Sequence, residues 1–237
     1  MDNDLHLDTL TGDSMSMRLQ RQLGRAIVRG EFDLRPFPTE MALAAQCGTS
    51  RTVTREAMKM LAAKGLIRSR PRMGTAMSPM VDWNLFDPEI TGWLTERPRA
   101  KALTDDFTHM RLAIEPHAAA LVARQVGLAV VTEIGIELER LSARQMSLET
   151  ALEAVTDFHL AILRASGNTF FWNLRQVIQS ALALSARGVP VRTFLAAEAR
   201  KQLFQAIQDH DPVEAERLMR DLVAVRSPRP LSAAAAQ

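Results

Sequence analysis

From Ser14 to Arg29 apolar residues recur at Met15, Leu19, Leu23, Ala26 and Ile27, a stripe one helix face wide. The spacing predicts a first helix there. Pro36 and Pro38 break the pattern, and Thr39 then stands as an N-cap for a short helix burying Leu43, Ala44 and Cys47 and closed by Gly48. Ser50 is placed to cap a longer helix, SRTVTREAMKMLAAKG. Its inward residues are Val53, Ala57, Met60 and Leu61, its outward ones Arg51, Thr52, Arg55 and Lys59, and its stop is Lys64 with Gly65. Leu66 and Ile67, the turn RSRPRMG and the return TAM then read as a small hairpin. Three helices followed by a hairpin make the winged helix-turn-helix pattern.

From residue 81 onward the period is helical almost throughout: WNLFDPEITGWL, then Leu103 to Val122, Leu128 to Leu141, Leu148 to Leu163, Thr169 to Ala186 and Thr193 to Gln208. A last helix starts at Asp211 and Pro212, an N-cap followed by a proline suited to the first helical position. Sustained alternation of period two is absent. The chain is therefore expected to be mainly α, a winged helix-turn-helix of three helices and a β-hairpin joined to an all-helical bundle of six to seven helices. The boundaries that follow are a flexible N-terminus over 1–13, a DNA-binding domain over 14–78, an interdomain linker or helix over 79–98, a helical domain over 99–226 and a disordered tail over 227–237. Trp83 and Trp93 are expected to pack between the domains or across a dimer.

Composition narrows the class. Of 237 residues 47% are hydrophobic and 24% charged, which fits a globular chain and excludes a disordered one. The single cysteine, Cys47, excludes a disulfide framework. The opening MDNDLHLDTLTGDSM has no basic apolar leader and no long apolar run follows, so no membrane role and a cytoplasmic location are expected. The net charge of +2 conceals an asymmetry: residues 14–80 hold twelve Lys and Arg against Glu31, Asp33, Glu40 and Glu56, whereas residues 81–237 are close to neutral. A basic front joined to a neutral back is the footprint of a polyanion-binding module attached to something else.

The stretch PFPTEMALAAQCGTSRTVTREAMKMLAAKGLIRSRPRMGT resembles the helix-turn-helix and wing of the GntR transcription regulators. RLAIEPHAA, FHLAILRASGN and FQAIQDHDPVEAERLM resemble pieces of the helical FCD ligand-binding domain of the FadR-like subfamily, so the resemblance covers nearly the whole chain. WNLFDPEITGWL is most similar to the branch that answers to sugar acids such as aldonates. The resemblance implies a regulator, most often a repressor, that binds a palindromic double-stranded operator as a homodimer and is released by a small carboxylic acid. It assigns DNA contacts to Ser50, Arg51, Thr52 and Arg55 at the start of the recognition helix and to Arg70, Arg72 and Gly74 at the wing tip. Those residue types suit the task, because short polar side chains reach base edges while Arg forks onto guanine or clamps phosphate. Met41 stands where the family often carries an arginine.

Many relatives hold a divalent metal through one aspartate and three histidines. Here Val155 occupies the aspartate position, His159 the second, and Arg200 and Leu222 the remaining two, so no metal and no other cofactor is expected. His109, His117 and His210 are scattered along the helical segments and are expected to be surface or core residues, not substitute ligands. A guanidinium can hold a carboxylate by charge and two parallel hydrogen bonds. Arg200 and Arg111 are thus assigned the effector's carboxylate, and His159, Asn168 and Arg175 its hydroxyls. Against this stand an i,i+4 pair of Arg111 with Glu115, and for Arg200 a partner in Glu198 or a surface position. Two other readings of the chain are kept: a DNA-binding protein insensitive to any effector and, more distant, a helical enzyme using His159. No phosphate loop, nucleophile elbow or HExxH supports the enzyme.

Overall fold

A computed structural model of the chain describes residues 14–70, 74–98, 101–125, 127–141, 146–187 and 189–224. The expected flexible N-terminus (1–13) and tail (227–237) lie outside the described residues. The chain forms two compact units, residues 1–99 and 100–237.

In the first unit each helix begins at a side-chain cap that the sequence supplies. Ser14 Oγ accepts the N–H of Met17 and opens α1 (Met15–Arg29), Thr39 Oγ1 accepts that of Ala42 and opens α2 (Glu40–Gln46), and Ser50 Oγ accepts that of Val53 and opens α3 (Arg51–Ala63). Leu19, Leu23 and Ile27 of α1 are fully buried together with Leu43 of α2 and Leu61 of α3. The chain leaves α3 at Gly65, whose φ is +78° and whose missing Cβ would lie 2.2 Å from the Asp82 carbonyl oxygen. Glycine is required there by both conformation and space. β1 (Ile67–Arg70) and β2 (Gly74–Met77) then pair antiparallel, Ile67 opposite Met77 and Arg70 opposite Gly74.

The segment expected to link the domains packs into this first unit. A 3₁₀ turn, Met80–Asp82, leads to α4 (Pro88–Leu94), capped by Asp87 Oδ1. Lys64 at the end of α3 reaches Asp87 at 2.6 Å and Glu89 at 2.8 Å, and Glu89 also accepts from Arg21 of α1 at 2.8 Å. These carboxylates hold the Lys64 ammonium above its ordinary range even though burial works against it. Trp83 is buried with its Nε1–H donated to the Ser78 carbonyl, and the Trp93 ring fills the space left by Gly24 on α1. Both tryptophans therefore have partners inside the first unit.

The second unit is all-helical among its described residues: α5 (Lys101–Gln125), α6 (Leu128–Arg140), α7 (Leu148–Ala165), α8 (Thr169–Asn173), α9 (Arg175–Ala186), α10 (Val191–Leu195), α11 (Ala197–Gln208) and α12 (Pro212–Ala224). Its core collects Val122, Ile134, Val155, Phe158, Leu182, Phe194, Leu203, Ile207 and Met219. Two expected longer helices are each divided, at Leu174 and at Ala196. Ala196 adopts φ +39°, a left-handed conformation unusual for a residue with a Cβ, and apolar periodicity gives no sign of it. The break leaves the last carbonyls of α10 without a continuing helix to bond them.

Candidate functional site

The face expected to read DNA begins at the Ser50 cap. Arg51 and Thr52 are exposed on the first turn of α3, and Arg55 is exposed one turn on. Thr54, between them, turns inward and is fully buried: its hydroxyl donates to the Ser50 carbonyl at 3.1 Å and lies 2.9 Å from that of Thr49. That pair fixes the turn against the helix. Arg55 forks onto Glu40 in the first turn of α2, with Nη2 at 3.1 Å from Oε1 and Nε at 3.5 Å from Oε2. Met41 beside Glu40 is 66% exposed. At the wing, the backbones of Arg70 and Gly74 pair across the hairpin end and Gly74 takes φ +78°; Arg72 lies outside the described residues.

In the second unit, three of the five expected effector residues come together around one that the sequence reading named only as a helix partner. Arg111 on α5 donates through Nε to Glu115 Oε1 at 2.5 Å and through Nη2 to Oε2 at 3.2 Å. The same Oε2 lies 2.6 Å from His159 Nδ1 on α7, and His159 Nε2 lies 3.3 Å from Arg200 Nη2 on α11. Arg200 Nη1 donates to the carbonyls of Phe194 and Leu195, the groups released by the break at Ala196. All four residues are buried, none more than 2% exposed. The i,i+4 pair of Arg111 with Glu115 is thus formed, and Arg200 is an interior residue, the largest fully buried side chain described.

The charges follow from this geometry. Burial alone would raise the Glu115 carboxyl, but the Arg111 guanidinium and the His159 ring bring it down to about 2, so it is ionised at neutral pH. Burial pushes His159 down to about 4, and the Glu115 charge, which opposes this, does not overcome it. The imidazole is therefore neutral at pH 7, and a carboxylate at Nδ1 selects the tautomer with its proton on Nδ1. Nε2 is left as an acceptor, facing a guanidinium.

Asn168 and Arg175 are engaged elsewhere. Asn168 caps α8, its Oδ1 accepting the N–H groups of Phe170 at 2.9 Å and Phe171 at 3.2 Å. Arg175 donates to the Trp172 carbonyl and lies 5.2 Å from that ring's centroid, with Arg164 at 4.6 Å from the same ring.

The residues do not fit a metal at the position the family pattern implies. Val155 is fully buried core, Leu222 is buried, one ring nitrogen of His159 faces a carboxylate and the other a guanidinium, which repels a cation. His109, His117 and His210 are exposed. Among the described residues no group of three or more His, Cys, Asp or Glu is placed to hold a metal ion.

Residues 16–77 match the gntR family of bacterial regulatory proteins, and residues 106–225 match the FCD domain. The chain is 30% identical to the uncharacterized HTH-type transcriptional regulator YieP of Escherichia coli, over 84% of this chain and 87% of that protein. It is 28% identical to the galactonate operon transcriptional repressor of E. coli (87% and 93% covered) and 28% identical to the gluconate operon transcriptional repressor of Bacillus subtilis (75% and 68% covered).

Proposed function

The chain belongs to the GntR family, a DNA-binding transcription regulator with an FCD domain and not an enzyme, and from that premise we propose that it is a cytoplasmic homodimeric repressor released from a palindromic operator by a small organic acid of the sugar-acid class. Two relatives are repressors of the galactonate and gluconate operons, which supports a sugar acid. The single observation that carries the effector reading is the convergence of two buried guanidiniums, from α5 and α11, on the Glu115–His159 pair. Burying two guanidiniums in one network is costly for a domain that only has to fold, and it suits one that must receive an anion. In this reading Arg200 gives up α10 carbonyls to fork onto the carboxylate, Arg111 adds its charge, and His159 Nε2 accepts from a hydroxyl. No metal takes part.

Ser50, Arg51, Thr52 and Arg55 meet one half-site, and two protomers read two half-sites. A coupling of about 1 to 3 kcal/mol between effector and operator gives roughly 5- to 150-fold release. Lys64 and Arg21 tie α4 to α3 and α1, and in this reading displacement arriving along the chain is passed through those pairs to the recognition helix.

A thermal-shift screen of chelator-treated protein against galactonate, gluconate, other small carboxylates and divalent metals tests this, since a ligand of the folded state raises Tm. Stabilisation by an acid without metal is expected; stabilisation by metal alone overturns the reading. The mutual satisfaction of Arg111, Glu115 and His159 favours a second reading, in which the cluster is a fixed polar staple and the regulator ignores effectors. Failure of every acid to shift Tm selects it.

A further inference from the structure

The pair between Arg55 and Glu40 joins the two helices of the helix-turn-helix on the face expected to meet DNA. As a stabilising contact it counts for little: the two side chains are 61% and 32% exposed, and such pairs are commonly worth less than thermal noise to the fold. As a feature of a DNA-binding face it is a liability, because a carboxylate there repels the phosphates that the surrounding basic residues attract. A carboxylate that adds little to stability and lowers general affinity acts chiefly through its partner.

The geometry gives that explanation. A guanidinium carries five N–H donors in a planar fork. Glu40 takes the Nε and Nη2 edge. The opposite edge, formed by Nη1 and the second hydrogen of Nη2, is left with two parallel donors, the arrangement that matches O6 and N7 of guanine in the major groove. Glu40 itself is held: Thr39 caps the start of α2, and the first-turn position of Glu40 places its charge where the helix dipole favours it. An arginine held on one edge approaches a base with a fixed plane and a fixed reach, whereas a loose one settles on any phosphate within range.

We propose that Glu40 is a positioning residue for sequence recognition, holding Arg55 so that its outer edge reads one guanine in each half-site. Glu40 contributes to which sequence is bound, and it lowers how tightly DNA in general is bound.

The test uses the full-length protein and a library of duplexes with a randomised central region, from which wild type, Glu40→Gln, Arg55→Ala and the double variant each select their preferred sequence. The wild type is expected to recover a palindrome with a strong guanine in each half-site. Glu40→Gln and Arg55→Ala should lose preference at that same position by about 5-fold or more. Glu40→Gln should also bind mixed-sequence duplex about 2- to 5-fold more tightly, through removal of one negative charge facing phosphate. In the Arg55→Ala background the second substitution should change no base preference. Circular-dichroism melts that superimpose on wild type separate this from a folding defect; a variant that melts early is replaced by Glu40→Ala and the selection repeated. The proposal is overturned if Glu40→Gln selects the wild-type sequence with undiminished guanine preference, or if the position it blunts differs from the one Arg55→Ala blunts, which would make Glu40 a direct base contact.

Discussion

Glu115→Gln is the most informative single change in the second unit. The amide keeps the shape of the carboxylate and an oxygen for the Nδ1–H of His159, but it removes the charge that Arg111 faces at 2.5 and 3.2 Å with both side chains buried. Breaking a buried ion pair from one side leaves an uncompensated charge and costs about 3 to 5 kcal/mol. For a unit of this size that is a fall of roughly 10 to 20 °C in its melting transition. Removing both charges together, as Arg111→Met with Glu115→Gln, eliminates the stranded cation, so the double variant should recover most of the loss and lie within about 2 kcal/mol of wild type. Calorimetric melts of the full-length protein at pH 7 read both values. A fall of less than 3 °C for Glu115→Gln, or a double variant as unstable as the single, would refute the coupling on which the whole cluster is argued.

The acid limb of stability follows from His159. Its value of about 4 in the fold lies below the ordinary 6.5, so the unfolded chain binds the extra proton first; the contribution, about 3 kcal/mol, is complete above pH 6.5 and lost as pH falls to 4. Denaturant titrations of wild type and His159→Gln across that window should diverge, and parallel curves would count against a buried neutral imidazole. Gly65→Ala drives a Cβ to 2.2 Å from the Asp82 carbonyl at φ +78° and should lower the first unit's stability by more than about 2 kcal/mol; a wild-type melt would show that the turn after α3 yields. Ser50→Ala removes the cap of the recognition helix and should cost about 1 kcal/mol, seen as a small drop in the first unit's melting temperature.

The helix-turn-helix was legible residue by residue because its signals are local. Thr39 and Ser50 cap α2 and α3 where their chemistry suggested, Ser14 proves to cap α1 without having been read as a cap, and Gly65 ends α3 for a reason a sequence can carry. The buried cluster of Arg111, Glu115, His159 and Arg200 was only half legible. Arg111, His159 and Arg200 were found through a family pattern, and the Arg111–Glu115 pair through helix spacing. That Glu115 joins Arg111 to His159 could not be read, since His159 lies 44 positions away and nothing in periodicity brings α5 against α7 at that level. The break at Ala196 was equally silent, because no glycine or proline marks it, yet it supplies the carbonyls that Arg200 meets. Asn168 and Arg175 carry local contacts that the sequence did not reveal, a helix cap and an aromatic ring, because neither follows from apolar periodicity.

The central claim is that an acid acting through Arg200, with no metal, releases this regulator from DNA. It is tested most directly by fluorescence anisotropy of chelator-treated protein on its selected palindrome, titrated with galactonate and gluconate. The account predicts at least 5-fold weaker binding with one of these acids for wild type and no acid effect for Arg200→Ala, whose DNA binding without acid is retained. Release that requires an added divalent metal, or that persists undiminished in Arg200→Ala, would contradict it.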